Sequence, residues 1–313
     1  MKAIILKNFG GVENLMTAEL DLPNVKPNEV LVSIKSISIN PIDVKTRAGK
    51  GVAPILKEQQ PIILGWDISG IVEDIGAEVT DFKPGDEVFG TISFPNAGKA
   101  YATYVAAPAS ELAIKPSNIS HDEAAAAALA ALTAWQALTN HGSIHKGDRV
   151  LIHAASGGVG HYAVQIAKHF GAYVIGTSSS QNKDFVLSLG ADQHIDYKAG
   201  PFENTVEDID FVLDTIGGDN IDASLSVMKT GGTIVSIPSG LNEQVVEKAN
   251  ASGKHGYTMK MKPSGADMKT IAGFLEQGII KSHVSKTFTF DQMAEAHLQL
   301  ESGRTVGKIT LKV

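Results

Sequence analysis

The stretch HAASGGVGHYAVQIAK, residues 153–168, places three glycines where an apolar run gives way to a helical pattern. The preceding run, RVLIHAA, is typical of a buried strand. After Gly160, apolar residues recur on one helical face, at Ala163, Ile166, Ala167 and Phe170. A strand, a glycine turn and a helix in this order are the context that a dinucleotide-binding fingerprint requires.

The glycine turn departs from the pattern G-x-G-x-x-G at one place. Ala155, Gly157 and Gly160 occupy the three glycine positions, so the first of them is an alanine. Gly157 would let the backbone approach a pyrophosphate, and Gly160 would let the helix and the strand pack closely, with the helix N-terminus facing the anion. A turn that serves packing alone is the alternative interpretation.

Two textures divide the chain. Residues 121–277 alternate strands with helical patterns, which predicts a parallel sheet with right-handed crossovers; the strand segments are DRVLIHAA, AYVIGTSS, IDFVLDTI and GTIVSIPS. Residues 1–120 consist of short β-branched runs separated by Pro, Gly and Asn, and residues 278–313 return to that texture. We therefore predict an α/β protein with one doubly wound parallel-sheet domain and one irregular β domain.

Composition excludes several classes of function. Apolar residues make up 43% of the chain and charged residues 19%, which is typical of a folded globular protein, and the net charge of −7 argues against nucleic acid as a partner. The chain has no cysteine, so disulfides, thiolate nucleophiles and cysteine-ligated zinc are all excluded. The start, MKAIILKNFG, has too short an apolar run for a signal peptide and predicts a first strand, so a cytoplasmic protein without a membrane partner is expected.

Six further segments carry a family resemblance: INPIDVKTRAG (39–49), GWDISGIVEDIGAEVTDFKPGDEVFG (65–90), YATYVAAPA (101–109), LTAWQAL (132–138), LGADQHIDY (189–197) and GRTVGKITL (303–311). Together with the glycine turn, they resemble the medium-chain dehydrogenase/reductase superfamily, and within it the zinc-free quinone oxidoreductases and alkenal or enone reductases. The resemblance implies a GroES-like substrate domain from residues 1–120 and 278–313. It also implies a Rossmann domain over residues 121–277 and a nicotinamide in the cleft.

The resemblance also shows what this chain lacks. At the places where zinc alcohol dehydrogenases carry their ligands, it has Asn40 or its neighbours, Trp66 and Leu129. The closest histidine pair, His141 and His145, lies in a glycine-containing loop with no carboxylate motif to complete a metal site. We therefore expect no metal, and a substrate that is already electrophilic, namely a quinone or an α,β-unsaturated carbonyl.

Two residues match family positions near the reacting atoms. Asn40 could donate its amide to a carbonyl oxygen, and its alternative role is that of a turn asparagine before Pro41. Tyr101 could donate a proton or wall the pocket, and a packed aromatic ring is the alternative. Asp43 and Lys45 follow Asn40 closely and are expected to be structural or solvated charges.

Nine residues are candidates for contact with the cofactor: Thr133, Gly157, Gly158, Val159, Ser178, Lys183, Tyr197, Ile237 and Lys308. NAD-preferring Rossmann domains place an acid at the end of the second strand, where this chain has Ser178. A 2′-phosphate can be bound there by hydroxyl groups, including that of Thr177, and by the ammonium group of Lys183. The nearby acid Asp184 is expected inside the following helix. NADPH is therefore the predicted cofactor, although a polar loop with serine caps is the alternative.

The predicted function is an NADPH-dependent reductase that transfers a hydride to a quinone or an α,β-unsaturated carbonyl without zinc. The alternative is an NADPH-binding sensor or structural protein with incidental reductase activity, because a fold alone does not determine chemistry. The strand-like segment GYTMKMKP, residues 256–263, is expected at a sheet edge and predicts a homodimer. Lys260 and Lys262 could instead protect a free edge in a monomer.

Overall fold

A computed structural model describes all 313 residues of the chain. The contacts divide it into two compact units. The first unit comprises Met1–Leu132 and Lys262–Val313, so both ends of the chain contribute to it, and the second comprises Thr133–Met261.

The chain forms sixteen strands: β1 (Lys2–Leu6), β2 (Leu15–Glu19), β3 (Glu29–Ile39), β4 (Ile62–Ile63), β5 (Asp67–Ile75), β6 (Glu87–Thr91), β7 (Tyr104–Pro108), β8 (Leu112–Ile114), β9 (Arg149–Ile152), β10 (Tyr173–Ser178), β11 (Gln193–Asp196), β12 (Ile209–Asp214), β13 (Met228–Ser236), β14 (His255–Thr258), β15 (Val284–Thr289) and β16 (Lys308–Lys312). The α-helices are α1 (Pro41–Arg47), α2 (Ala53–Leu56), α3 (His121–Asn140), α4 (Gly160–His169), α5 (Lys183–Ser188), α6 (Asn220–Ser226), α7 (Val245–Ala251), α8 (Gly265–Glu276) and α9 (Met293–Glu301).

The second unit is built on a six-stranded sheet in the order β11-β10-β9-β12-β13-β14. Every neighbouring pair in this sheet is parallel. Counted along the chain from β9, the order is 3-2-1-4-5-6, the arrangement of doubly wound dinucleotide-binding folds. The predicted parallel sheet is confirmed.

The first unit is predominantly antiparallel. A seven-stranded sheet runs β15-β16-β3-β5-β6-β8, with β7 paired to β3, and a small sheet runs β2-β1-β4. Only β15 and β16 pair in parallel. Buried aliphatic and aromatic side chains from these sheets form one core, whose largest member is Trp66. This unit has the irregular β texture that the sequence predicts.

The boundaries of the units differ from the expected 120/121 and 277/278. The first half of α3 belongs to the first unit, because the backbone N–H of Leu129 donates to Asp67 over 3.0 Å and Ser36 donates to Asp122 over 2.7 Å. Helix α8 belongs there as well, because a Cβ on Gly265 would lie only 2.6 Å from the carbonyl oxygen of Ser110. Neither packing arrangement can be read from local sequence texture.

The edge strand β14 of the parallel sheet is shorter than the sequence predicts. Strand β14 ends at Thr258, so residues 259–263 are not part of it. The strand nonetheless lies at the edge of the sheet, as expected, since its only partner is β13. In addition, none of the helices is both long enough and apolar enough to cross a membrane.

Candidate nucleotide-binding site

The glycine turn leaves β9 through a left-handed residue. Ala154 has φ of +47°, and the N–H of the next residue, Ala155, donates to the carbonyl oxygen of Thr177 on β10 over 2.9 Å. The turn then closes on itself, because the N–H of Gly157 donates to the carbonyl oxygen of Ala154 over 2.8 Å. These bonds fix the direction in which the chain enters α4.

Gly160 is required by close packing. A Cβ at this position would lie 2.2 Å from the carbonyl oxygen of Ala154 and 2.8 Å from Cα of Ala155, and neither backbone atom can move aside. At Gly157 the corresponding Cβ would meet the same carbonyl oxygen at 3.1 Å, which is tight but less severe. Gly158 and Val159 complete the turn before α4 begins.

The alanine at the first glycine position is accommodated by another glycine. Ala155 is fully buried, and its methyl group lies over Gly176 of β10. A Cβ on Gly176 would come within 2.8 Å of that methyl group and within 2.7 Å of Val186 on α5. The strand therefore provides the space that the turn does not, and the unusual fingerprint retains its tight geometry.

Three of the predicted cofactor residues surround the end of β10. Ser178 ends the strand, the N–H of Tyr197 donates to its carbonyl oxygen over 3.3 Å, and Lys183 begins α5 shortly after it. Tyr197 and Lys183 are both exposed. Ser178 is buried, and its hydroxyl oxygen lies 2.8 Å from Nε2 of His194 on β11.

A side-chain bond joins this group to the glycine turn. Nδ2 of Asn182 donates to the hydroxyl oxygen of Ser156 over 3.1 Å. Asn182 lies directly before α5, and Ser156 lies inside the turn. The two loops that follow β9 and β10 are therefore held together at the carboxyl edge of the sheet, where doubly wound folds bind their ligands.

The structure corrects the expectation for Thr177. Successive side chains of a strand point to opposite faces, so Thr177 and Ser178 cannot serve the same phosphate. The hydroxyl group of Thr177 lies 3.1 Å from Nδ1 of the buried His153, whose Nε2 lies 3.0 Å from the hydroxyl oxygen of Ser224. Burial lowers the pKa of His153 to about 4, against the opposing charge of Asp214, so this ring is neutral and structural.

A second acid, besides Asp184, lies beside Ser178. Asp184 lies within α5, whereas Asp196 of β11 is directly in register with Ser178. The strand alternation places Asp196 and Ser178 on the same face. One carboxylate oxygen of Asp196 accepts the N–H of Lys198 over 3.0 Å.

Two further predicted cofactor residues occupy other parts of the second unit. Thr133 is buried on α3. Ile237 follows β13, and its N–H donates to the carbonyl oxygen of Asp214 over 2.9 Å. Asp214 is fully buried at the end of β12, where its carboxylate accepts hydrogen bonds from the N–H of Gly217 and from the hydroxyl group of Ser236.

The remaining predicted residues lie in the first unit, in a buried polar network. Nδ2 of Asn40 donates to Asp67 over 2.8 Å, and Oδ1 of Asn40 accepts from the ammonium group of Lys308. That ammonium group also donates to the carbonyl oxygen of Ile39 over 2.9 Å and lies 3.9 Å from Asp67. Asn40 and Lys308 are 2% and 3% exposed, so both polar ends are committed to partners inside the protein.

Tyr101 belongs to the same unit and is fully buried. Its hydroxyl group donates to Oδ1 of Asp43 over 2.9 Å and lies 2.9 Å from Nε2 of His297. Nδ1 of that ring faces a nitrogen of Arg47 at 3.4 Å, so the ring is a neutral Nε2–H tautomer that donates to Tyr101. Donation of a proton from Tyr101 to a substrate would require the tyrosine side chain to leave this network.

Burial determines the ionisation of the network. It raises the pKa of Asp43 to about 7, with the neighbouring charge of Asp67 as the second cause. It lowers the pKa of His297 to about 3, with help from the charge of Arg47, and it lowers the pKa of Lys308 as well. Asp43 is fully buried, so it takes the structural one of its two expected roles and is not a solvated charge.

The chain is similar to known proteins along its whole length. A family model described as alcohol dehydrogenase GroES-like domain matches residues 26–117, and one described as zinc-binding dehydrogenase matches residues 189–311. The mitochondrial NAD(P)H oxidoreductase RTN4IP1 of Bos taurus is 34% identical over 354 residues, which cover 100% of this chain and 89% of that protein. The chain belongs to the medium-chain dehydrogenase/reductase superfamily.

Two further relatives of this medium-chain dehydrogenase/reductase carry named activities. The chloroplastic NADPH-dependent alkenal/one oxidoreductase of Arabidopsis thaliana is 32% identical over 321 residues, covering 99% of this chain and 79% of that protein. The solved quinone oxidoreductase from Coxiella burnetii is 36% identical, with a TM-score of 0.96 over 100% of this chain and 99% of its own. The predicted fold, a GroES-like β domain with a Rossmann domain, is thereby confirmed.

The donor set of this medium-chain dehydrogenase/reductase does not fit zinc. Trp66 is fully buried, its indole N–H donates to the carbonyl oxygen of Asn96 over 2.7 Å, and its ring packs edge-on against Phe94. Leu129 offers no ligand atom in its side chain, and both ends of the Asn40 amide are bonded. Across all 313 residues, no group of three or more His, Cys, Asp or Glu side chains is arranged to hold a metal.

Sequence reasoning missed four residues of these clusters. Asp67 had a readable signal, since a charged residue opens the apolar strand β5 directly after Trp66. His297 lies within α9 and Asn182 within a polar loop, and nothing in their neighbours marks them. His194 follows two polar residues at an edge strand, where a histidine is unremarkable in sequence.

Proposed function

We propose that this chain is an NADPH-dependent reductase that transfers a hydride to a quinone or an α,β-unsaturated carbonyl without zinc. The observation that carries the proposal is the cluster at the end of β10, where Ser178 replaces the acid of NAD-preferring folds and lies beside Tyr197 and Lys183. The names of two relatives support the choice, one being an NADPH-dependent alkenal/one oxidoreductase and the other a quinone oxidoreductase.

In this proposal the second unit binds the dinucleotide with its own residues. Gly157, Gly158 and Val159 would cradle the pyrophosphate at the start of the ten-residue helix α4, where backbone N–H groups and the helix dipole favour an anion. The exposed Lys183 would bind the 2′-phosphate, and the buried Ser178 would do so by giving up its bond to the carbonyl oxygen of Ser179. Tyr197 would contact the adenosine, and Thr133 and Ile237 would contact the nicotinamide half. The tight packing at Gly160 supports this assignment, because it fixes the turn before any ligand arrives.

The roles of Asn40, Tyr101 and Lys308 are revised in this proposal. Because their polar groups are bonded inside the first unit, we assign them to positioning rather than to direct contact with the substrate or cofactor. The network holds the turn that begins α1 in a single conformation, with Asp43 accepting the N–H of Asn40 over 2.8 Å. Such rigidity favours catalysis because reactants need a fixed frame.

The chemistry needs little from the protein beyond position. The bound nicotinamide supplies the hydride, and a quinone or enone delocalises the resulting negative charge onto its oxygen. The side chains of the buried network are bonded to one another, so in this proposal the proton that completes the reduction comes from water. Catalysis would then rest on orientation and on exclusion of bulk water from the hydride path.

The absence of cysteine and the side chains of Trp66 and Leu129 support a reaction without zinc. Elemental analysis of protein purified without added metal should find far less than one zinc per chain. Near one zinc per chain, lost together with activity on chelation, would contradict this part of the proposal.

Turnover tests the proposed function directly. NADPH oxidation is followed by its near-ultraviolet absorbance with a panel of quinones and enones, and addition of at least one acceptor class should consume NADPH. A chain that binds NADPH yet reduces no acceptor would instead support a sensor or a structural protein. We further propose a homodimer and a cytoplasmic location, although two of the relatives are by name mitochondrial and chloroplastic.

A further inference from the structure

His194 lies where a nucleotide's ribose end would be bound. It is on β11, the edge strand of the parallel sheet, in register with Gly176 of β10. The strand alternation puts its ring on the same face as Ser178, which lies two residues further along β10. Nε2 of His194 is 2.8 Å from the hydroxyl oxygen of Ser178, so the ring leans toward the carboxyl end of the strands.

The layer above Gly176, the residue in register with His194, is filled by two side chains. Because Gly176 has no side chain, Val186 of α5 and the methyl group of Ala155 both pack over it. The space that a side chain on Gly176 would fill is therefore occupied by α5 and the glycine turn. His194 remains partly buried, with its polar edge at Ser178.

Ser178 and His194 each have a donor at the end of β10, and both donors are bonded within the protein. The hydroxyl group of Ser178 donates to the carbonyl oxygen of Ser179 over 3.2 Å, so its oxygen is left to accept Nε2–H from His194. A phosphate oxygen that reached Ser178 would compete with these acceptors for the hydroxyl group and for the imidazole N–H. Both groups are donors suited to a phosphate oxygen.

The charges around His194 make its protonation depend on what is bound. Partial burial lowers the pKa of His194 below its ordinary value, Asp196 on the same strand opposes this, and the ammonium group of Lys183 on α5 lowers it further. The ring is thus neutral near pH 7 in the free protein. A phosphate at Ser178 adds negative charge beside it and favours the imidazolium form.

We infer that His194 is a third, protonation-dependent member of the 2′-phosphate subsite, so that the preference for NADP(H) over NAD(H) strengthens as the pH falls. The inference rests on the proposed function, since it assumes that the 2′-phosphate lies at Ser178 and Lys183. It adds a specificity-determining residue, and it explains how this site tolerates Asp196 in register with Ser178. The imidazolium offsets that carboxylate when the phosphate is bound.

The sign of the effect follows from linkage. A phosphate raises the pKa of His194, so binding takes up a proton at any pH between the free and the bound values of that pKa. Affinity for the phosphate therefore rises as the pH falls through the bound value toward the free one. The phosphate itself protonates near pH 6, which acts in the opposite direction and must be controlled.

The test compares two small probes that differ only in the 2′-phosphate, adenosine 2′,5′-bisphosphate and 5′-AMP. Calorimetric titration of the full chain from pH 5.5 to 8 is made for the wild type, for His194→Gln, and for His145→Gln as a control. His145 is an exposed histidine that precedes β9, at the opposite end of the strands. Because the protonation of the probe is common to all three proteins, differences between them report the protein.

At pH 5.5 the wild type should bind the bisphosphate about three- to tenfold more tightly than His194→Gln does, and the gap should close toward pH 8. The 5′-AMP affinities should agree within twofold at every pH, and His145→Gln should follow the wild type. In NMR spectra of the wild type, the pKa of the His194 ring should rise with bisphosphate and stay constant with 5′-AMP.

Two results would overturn the inference, and they are distinguishable. If the wild type prefers the bisphosphate but His194→Gln has the same pH profile, His194 is no part of the subsite and the proposed function stands. If the wild type binds both probes equally at every pH, the predicted cofactor preference fails as well.

Discussion

The hydroxyl group of Tyr101 donates a hydrogen bond to Oδ1 of Asp43 over 2.9 Å, and both residues are completely buried. The bond is one link of a directed chain that runs from Arg47 through His297 to Tyr101 and Asp43. Arg47 in turn is paired with Glu301 over 2.6 Å, near the surface. Loss of a link in this chain therefore leaves a buried polar group with one partner fewer.

Replacement of Tyr101 tests that chain. Tyr101→Phe removes the hydroxyl group and leaves both Asp43 and His297 with one partner fewer. We expect the free energy of unfolding to fall by about 1 to 3 kcal/mol, the cost of buried groups left unsatisfied. Urea denaturation at pH 7 measures it. Tyr104→Phe, at a partly exposed position of β7, is the control and should change stability by less than about 0.5 kcal/mol. Equal effects of the two variants would show that the buried hydroxyl group of Tyr101 contributes no more to the free energy of unfolding than a partly exposed one does.

The depressed pKa of His297 predicts a pH-dependent stability. Between its ordinary value of 6.5 and its folded value of about 3, the unfolded chain takes up a proton that the folded protein does not. Stability from this residue is therefore present above pH 6.5 and is lost as the pH falls through the window, by at most about 1.4 kcal/mol per pH unit. Asp43 acts oppositely between 3.8 and about 7, because its folded pKa is raised.

The variant His297→Gln isolates this contribution, because the contribution of Asp43 is common to both proteins. In urea denaturation at pH 7, 6 and 5, the stability advantage of the wild type over His297→Gln should shrink steadily as the pH falls. The control His255→Gln, at an exposed position of β14, should differ from the wild type by a constant amount. A gap for His297→Gln that is independent of pH would mean that the ring titrates normally in the folded protein.

Gly160→Ala should damage the nucleotide site through packing. The added methyl group would lie 2.2 Å from the carbonyl oxygen of Ala154, so the turn must shift. We expect a loss of about 1 to 3 kcal/mol in stability, with weaker binding of NADPH and NADH alike. Gly200→Ala, where an added methyl group meets no atom within 4 Å, is the control and should bind both nucleotides normally. Unchanged binding by Gly160→Ala would place the nucleotide elsewhere.

The edge position of β14 predicts a two-fold dimer with a sheet continuous across both subunits. Light scattering in the micromolar range should give twice the mass of one chain. Tyr257→Lys places like charges on this edge and should shift the protein toward the monomer, whereas Tyr173→Lys should not. Both tyrosines are 38% exposed, but Tyr173 lies on the inner strand β10. A wild type of monomer mass would refute the dimer.

Much of the fold was predictable because its signals are local. The alternation of strands with helical patterns fixed the parallel sheet, and the segment after Arg149 placed its first strand and turn. The unit boundaries were not predictable, because they depend on where α8 packs. Packing partners that are distant in the chain leave no periodic pattern in the sequence.

Some residues of the candidate site were predictable from the sequence and others were not. Ser178 and Lys183 follow from their distance beyond the glycine turn, since the fold fixes that spacing. His194 does not, because only the pairing of β10 with β11 brings it to Ser178. For Tyr101 the sequence left both a pocket residue and a packed ring open, because a tyrosine that lines a pocket and one that bonds to a buried carboxylate have the same local sequence.

The preference for NADPH over NADH is the central claim, and titration of the wild type and Lys183→Ala with both nucleotides tests it most directly. The wild type should bind NADPH more tightly than NADH. Lys183→Ala should weaken NADPH about ten- to a hundredfold, because one phosphate pair is lost, and should leave NADH nearly unchanged. Equal affinities of the wild type for NADPH and NADH would contradict the assignment of Ser178 and Lys183 to a 2′-phosphate.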